Sequence, residues 1–346
     1  MTTSQPPTGV RETTQQVPVD GTRLAGTLAM PDRSVRAPAV LLIGGTLSDT
    51  RDGDVDPRTR PGVPSHGMYR RLAHALARDG LASFRFDRRG SGENEPGPRP
   101  DRATEIADAA AVWAWLDRQA MVSGAGAVVG ESAGAYVLCR LAAEGRQPRA
   151  AVLQGALYRS IPEMIAWNYG RARDFIARGN DEREWLRREL PIEYQNGLLI
   201  DAMLRAIERG ESTALVEVDG EVIERSLAGL DYDLRHPPAD QFRHLACPTL
   251  VIHGAEDMNV PVDDSFATVA ELWRAGNRIV DLVVLAGADH SFQLGPDNPE
   301  ERLRERLSLQ SFGRPFHPAY PAPIVDFLVR QLLGAGTGTG VAHAGT

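Results

Sequence analysis

The sequence predicts an α/β fold: a mostly parallel central sheet flanked by helices, interrupted once by a helical cap insertion. Three observations predict it. Short apolar runs without polar alternation, such as AVLLIGG (39–45), GAVVGES (126–132) and TLVIHG (249–254), read as strands buried on both faces. Helical patterns separate these runs, and strand–helix–strand repeats give right-handed crossovers between parallel strands. Between about 157 and 245 the alternation stops, then resumes.

In chain order, residues 17–30 (VPVDGTRLAGTLAM) carry Asp20-Gly21 between two strand-like runs, a hairpin signal. The strand AVLLIGG follows. MYRRLAHALARD (68–79) spaces its apolar residues as a helix does and stops at Gly80. LASFRFD (81–87) is the next strand, and an Ala-rich helix runs from about Ala103 to Gln119. GAVVGES leads into the helix AGAYVLCRLAAEG (133–145), and AAVLQG (150–155) is a further strand. The stretch with Trp167, Tyr169, Trp185 and Tyr194 is charge-rich and reads as helical. TLVIHG, the helical SFATVAELWRAG, the strand IVDLVVLAG (279–287) and the amphipathic helix PIVDFLVRQLL (323–333) complete the pattern. The implied organisation is a disordered tail (1–13), a first core part (14–156), a helical cap (157–245), a second core part (246–334) and a Gly-rich disordered tail (335–346).

The chain has 346 residues and a net charge of −8, with acidic and basic residues well mixed. No basic stripe points to nucleic acid. No apolar run approaches the roughly 20 residues that cross a bilayer. The N-terminal MTTSQPPTGVRETTQQ has no apolar leader region, so a cytoplasmic location is expected. Cys139 and Cys247 belong to no metal-spaced cluster and are read as buried thiols.

The chemistry is carried by Gly130-Glu131-Ser132-Ala133-Gly134, a G-x-S-x-G sequence. Five residues alone are a weak signal. A buried strand before and a helix after turn it into a strand–turn–helix that exposes the serine on a sharp turn. The hydroxyl then projects at the C-terminal edge of the sheet, where open α/β folds keep their sites. A serine needs a base, and the base needs an orienting carboxylate. Asp257 follows TLVIHG and His290 follows the next strand, so both loops open at that same edge.

At this point the chain resembles the α/β-hydrolase family, over most of its length outside cap and tails. The elbow, GAEDMNVP and GADHSF are similar to the family's nucleophile, acid and histidine segments, and FDRRGSGEN (86–94) to its turn with D-x-R-G-x-G. The resemblance implies a triad of Ser132, Asp257 and His290, and an oxyanion hole of two backbone N–H groups, Ala133 and Thr46. The family's usual histidine near the second donor is Gly44 here. Gly45, Glu131, Trp167 and Tyr169 are the candidate substrate contacts. No metal and no cofactor are implied; the partner is a small-molecule acyl substrate, with neither nucleic acid nor membrane involved.

Some residues have rivals. Glu256 adjoins Asp257 and could act as the acid, although the family spacing favours Asp257. Asp289 is expected to point away from the site, and His253 to pack or bond near it. His66 is expected at the start of the MYRRLAHALARD helix, with Ser65 as its candidate N-cap. Arg85, Arg88 and Arg89 could bind an anion, but structural turn charges are the plainer reading. The long polar loop 46–67 borders the oxyanion hole; within it Arg51, Asp52 and Asp54 are expected to form a local ion-pair knot that fixes Thr46. The resemblance leaves three activities open: serine ester or thioester hydrolysis, acyl transfer or acyl elimination, and non-catalytic binding on a hydrolase scaffold. Aspartate-nucleophile relatives such as dehalogenases are disfavoured by Ser132.

Overall fold

The computed structural model describes residues 6–34, 36–218 and 220–334. The sheet is built from β1 (Val10–Val19), β2 (Thr22–Pro31), β3 (Ala37–Ile43), β4 (Ala82–Phe86), β5 (Val122–Glu131), β6 (Ala150–Gln154) and, beyond the cap, β9 (Thr249–Gly254) and β10 (Val280–Leu285). Between them lie α1 (Met68–Arg78), α2 (Arg102–Asp117) and α3 (Gly134–Ala143). The cap comprises α4 (Ile161–Ile176), α5 (Asn180–Glu189), α6 (Pro191–Arg209), β7 (Thr213–Val218), β8 (Glu221–Ser226) and α7 (Asp231–Arg235). The short α8 (Pro238–Gln241) returns the chain to the core, which ends in α9 (Asp263–Arg274), α10 (Pro299–Ser308) and α11 (Ala322–Leu333).

The strand order is β1-β2-β4-β3-β5-β6-β9-β10. β1 and β2 pair antiparallel, as the Asp20-Gly21 turn requires: both residues have positive φ, 38° and 73°, which suits a tight hairpin. β2 also runs antiparallel to β4, while every other neighbouring pair in this sheet is parallel. The order reverses around β3, which has β4 on one side and β5 on the other. That reversal opens a crevice at the C-terminal ends of β3 and β5, the usual ligand position of an open α/β sheet.

The continuous apolar runs are buried on both faces. Leu41, Ile43, Val128 and Leu153 pack with α2, α3 and α9, whereas Val40, Leu42, Val129 and Val152 pack with α1 and α11. Each such Leu or Val contributes about 1.5–3 kcal/mol by leaving water. The two layers clamp the strands whose ends carry the site.

The structure departs from the sequence reading in three places. The tail expected to reach residue 13 ends sooner: β1 begins at Val10, drawn into the sheet by β2. Residues 1–5 and 335–346 lie outside the described residues. The cap is not wholly helical: β7 and β8 form a two-stranded antiparallel hairpin beside α6. Ser65 does not cap α1, whose N-cap is Gly67 in the left-handed region. The Ser65 hydroxyl instead donates to Asp54, as do the N–H groups of His66 and Gly67.

Candidate active site

The G-x-S-x-G segment forms the sharp turn between β5 and α3. Ser132 has φ 49°, a left-handed conformation that a non-glycine residue adopts only under constraint. The constraint is close packing on both sides. A Cβ on Gly130 would lie 2.6 Å from the Gly134 carbonyl, and one on Gly134 would lie 2.3 Å from the Ile43 carbonyl. The two glycines therefore let the start of α3 touch both its own strand and the end of β3. Ser132 is partly exposed, and its N–H donates to the Gln154 carbonyl at 2.8 Å. Among the described residues its hydroxyl has no hydrogen-bond partner.

His290 and Asp257 meet. Nδ1 of His290 lies 2.6 Å from Oδ2 of Asp257. Oδ1 of Asp257 accepts from the N–H groups of Asn259 and Val260 at 2.7 and 2.9 Å, and His253 Nε2 lies 3.2 Å from Oδ2. Burial opposes ionisation of this carboxyl, but the His290 charge and the donors from His253 and His290 outweigh it. Asp257 is held well below the ordinary carboxylate range. Burial likewise opposes charge on His290, and the carboxylates of Asp257 and Glu131 raise its pKa well above the ordinary imidazole value. The pair sits beside the serine turn: a Cβ on Gly155, the residue after Gln154, would lie 3.0 Å from the His290 ring.

The rival residues are engaged elsewhere. Glu256 pairs with Arg302. Asp289 accepts from the N–H groups of Ser291 and Gln293, at 2.9 and 2.8 Å, and burial raises its pKa to about 6. His253 is fully buried, 3.0 Å from the Val260 carbonyl, where it braces the acid loop.

The loop after β3 is fixed by arginine, but not by the residue expected. Arg51 pairs with Asp87 at 2.6 Å and with Glu93, not with Asp52 or Asp54; Asp52 pairs with Arg85 and Arg70. Arg88 is the residue that reaches the loop. Its Nη2 donates to the Gly45 carbonyl and its Nη1 to Asp49 at 2.7 Å and more weakly to the Thr46 carbonyl at 3.4 Å. Arg99 also donates to the Thr46 carbonyl, at 2.7 Å. In a trans peptide the N–H points opposite to the C=O. Holding the Gly45 carbonyl toward Arg88 therefore turns the Thr46 N–H the other way. Among the described residues, neither the Thr46 nor the Ala133 N–H donates to a loop or turn backbone carbonyl. Arg89 pairs with Asp108, so all three turn arginines have intramolecular partners.

The four candidate substrate contacts fare differently. The Gly45 N–H donates to Glu131 Oε2 at 2.6 Å, and the Ser48 hydroxyl to the same oxygen at 2.9 Å. Gly45 and Glu131 thus face each other, and Glu131 is 5% exposed. Its other oxygen lies 3.5 Å from Nε2 of His290. The sequence signal for this was only the position of Glu131, one residue before the serine at a strand end. The Trp167 indole N–H donates to the Met258 carbonyl, and its ring lies under the guanidinium groups of Arg171 and Arg159. Trp167 ties the cap to the acid loop. Tyr169 packs at the edge of the cap's own apolar cluster.

Among the described residues no group of His, Cys, Asp and Glu is arranged to hold a metal, and no helix is long and apolar enough to cross a membrane. Cys139 and Cys247 are buried and unpaired.

A family model described as the alpha/beta hydrolase family matches residues 61–306. No curated protein matches in sequence. Among solved structures, Est1E from Butyrivibrio proteoclasticus is similar with a TM-score of 0.54 and 16% identity, over 92% of this chain and 99% of that one. The Pyrococcus furiosus esterase Pf2001 gives 0.55 and 16%, over 93% and 92%. The alpha/beta hydrolase GrgF from Penicillium sp. sh18 gives 0.54 and 16%, over 93% and 99%. At these identities the likeness shows the fold alone.

Proposed function

Because this chain belongs to the alpha/beta hydrolase family, we propose that it is a serine hydrolase that cleaves a carboxylic ester or thioester through an acyl-enzyme. One observation carries the reading. The strained Ser132 turn and the His290–Asp257 pair border the same Gln154–Gly155 segment at the end of β6. The similarity to the Pyrococcus furiosus esterase Pf2001 agrees with ester chemistry.

The mechanism follows from the groups present. Ser132 Oγ attacks the acyl carbonyl while Nε2 of His290 takes the hydroxyl proton. Asp257 accepts from Nδ1, which fixes the tautomer and stabilises the imidazolium. The negative charge that develops on the carbonyl oxygen meets the N–H groups of Ala133 and Thr46. Collapse expels the alcohol or thiol, protonated by His290. Water, deprotonated by the same nitrogen, then releases the acid from Ser132. The free, buried thiols fit a reducing, cytoplasmic setting.

A fluorophosphonate probe is expected to add to Ser132, located by peptide mass spectrometry. A panel of p-nitrophenyl esters and acyl thioesters is expected to contain a substrate, and in ¹⁸O-water the released acid should carry one labelled oxygen. An unlabelled acid, or an unsaturated product, would replace hydrolysis by elimination. A protein that neither reacts with the probe nor cleaves any ester would be a binding protein on this scaffold.

Arg88 offers a test of the oxyanion hole. Arg88→Lys keeps a charge for Asp49 and Glu105 but loses the fork that reaches Gly45 and Thr46 together. Misorienting one donor should lower kcat by about 10²-fold with a smaller change in KM. A variant with wild-type kcat would mean that Thr46 is held by other means.

A further inference from the structure

We propose that Glu131 is a second carboxylate of the site: a positioning residue that holds the oxyanion loop with one oxygen and faces the proton-accepting nitrogen of His290 with the other. The proposal rests on the reading of Ser132 and His290 as nucleophile and base. Its geometry is independent of any substrate.

Glu131 is the last residue of β5 and directly precedes Ser132. Its side chain is 7% exposed. Oε2 is committed to the loop through the Gly45 N–H at 2.6 Å and the Ser48 hydroxyl at 2.9 Å. A side chain at position 45 would collide with this carboxylate, since a Cβ there would lie 2.5 Å from Oε2. The Gly45 N–H is therefore occupied, and the Thr46 N–H is the donor left for an oxyanion. Oε1 lies 3.5 Å from Nε2 of His290. The imidazole is bracketed, with Asp257 at Nδ1 and Glu131 at Nε2.

Two consequences follow. In the resting protein the bracket favours the imidazolium, whose Nε2 proton faces Glu131 rather than Ser132. The base must lose that proton before Ser132 can react, so activity should rise with pH along a limb set above the ordinary imidazole value. Once attack begins, the same carboxylate stabilises the imidazolium as it forms. Other charged groups near this imidazole act through Asp257: Arg171 and Arg306 bear on its charge, Asp289 lies beside His290 in the chain, and His253 shares Oδ2 of Asp257. None of these faces Nε2; Glu131 does.

The test uses Glu131→Gln, which keeps the shape and an oxygen for Gly45 and Ser48 but removes the charge. The acid limb of kcat/KM should fall by about one pH unit or more, the usual effect of removing an opposite charge at this range. Plateau kcat should drop by about tenfold, the rate equivalent of one such unit. Ser48→Ala removes a loop bond and leaves the charge, so its acid limb should stay at the wild-type value. The His290 imidazole is also titrated by NMR in resting wild type and Glu131→Gln, without any substrate. An imidazole pKa equal in the two proteins would overturn the proposal, as would equal acid limbs. A lower value in Glu131→Gln supports it even if no ester is hydrolysed, an outcome that would count against the hydrolase reading alone.

Discussion

Ser132→Ala is expected to abolish fluorophosphonate labelling and to lower kcat for any ester the protein cleaves by about 10⁶-fold. The size follows from what remains. Without Oγ no acyl-enzyme can form, and the two backbone donors can only assist direct attack by water. The substitution is unusually clean in this setting. Alanine carries the same backbone strain at φ 49° as serine does. The Ser132 hydroxyl has no hydrogen-bond partner among the described residues, so its removal strands no buried group. Thermal unfolding of the variant should coincide with that of wild type, and the loss should be chemical. A variant that retains even a hundredth of the wild-type rate would show that water, activated by His290, attacks the ester directly.

The parts of the fold readable from sequence were those set by local rules. Uninterrupted apolar runs marked the doubly buried strands, and Asp20-Gly21 marked the hairpin because both residues tolerate positive φ. The serine was legible because a strand and a helix flank it, and Asp257 and His290 because each follows a strand of one parallel sheet. Failures came where a partner is distant in sequence. Arg51 lies beside acidic residues but pairs with Asp87, 36 residues on. Thr46 is fixed by Arg88 and Arg99 across the β3–β4 loops. Glu131 bonds to Gly45, 86 residues earlier. Alternation along a strand assigns a side chain to a face; it does not say which loop will close over that face. The cap hairpin is hidden in the sequence for a different reason. Its strands are six residues each, rich in Glu, and lie in a stretch whose charges suggested helix, although Thr213–Val218 alternates as a strand should.

Asp257→Asn is expected to lower kcat by about 10⁴-fold while leaving the fold intact, because the lesion is one of tautomer. In wild type Oδ1 takes the N–H groups of Asn259 and Val260, and Oδ2 faces His290 and His253. An asparagine that keeps its oxygen on the two loop N–H groups must turn its amide N–H groups toward the histidines. Nδ1 of His290 then has to accept, the neutral ring carries its proton on Nε2, and no lone pair is left there for Ser132. The same substitution should flatten the dependence of stability on pH. Asp257 has a lowered pKa in the folded protein, so its contribution is present above the unfolded value of about 4 and is lost as pH falls. His290 has a raised pKa, so its contribution is complete below about 6.5 and is lost as pH rises through the folded value. The two shifts describe one ion pair, and its stabilisation is complete only between those limits. Urea unfolding should therefore show the largest gap between wild type and Asp257→Asn from about pH 4 to 6.5, narrowing on either side. A gap that is constant with pH, together with more than about a tenth of wild-type kcat, would mean that Asp257 does not hold the charged histidine and that the base is oriented by another group, for which Glu131 is the nearest carboxylate.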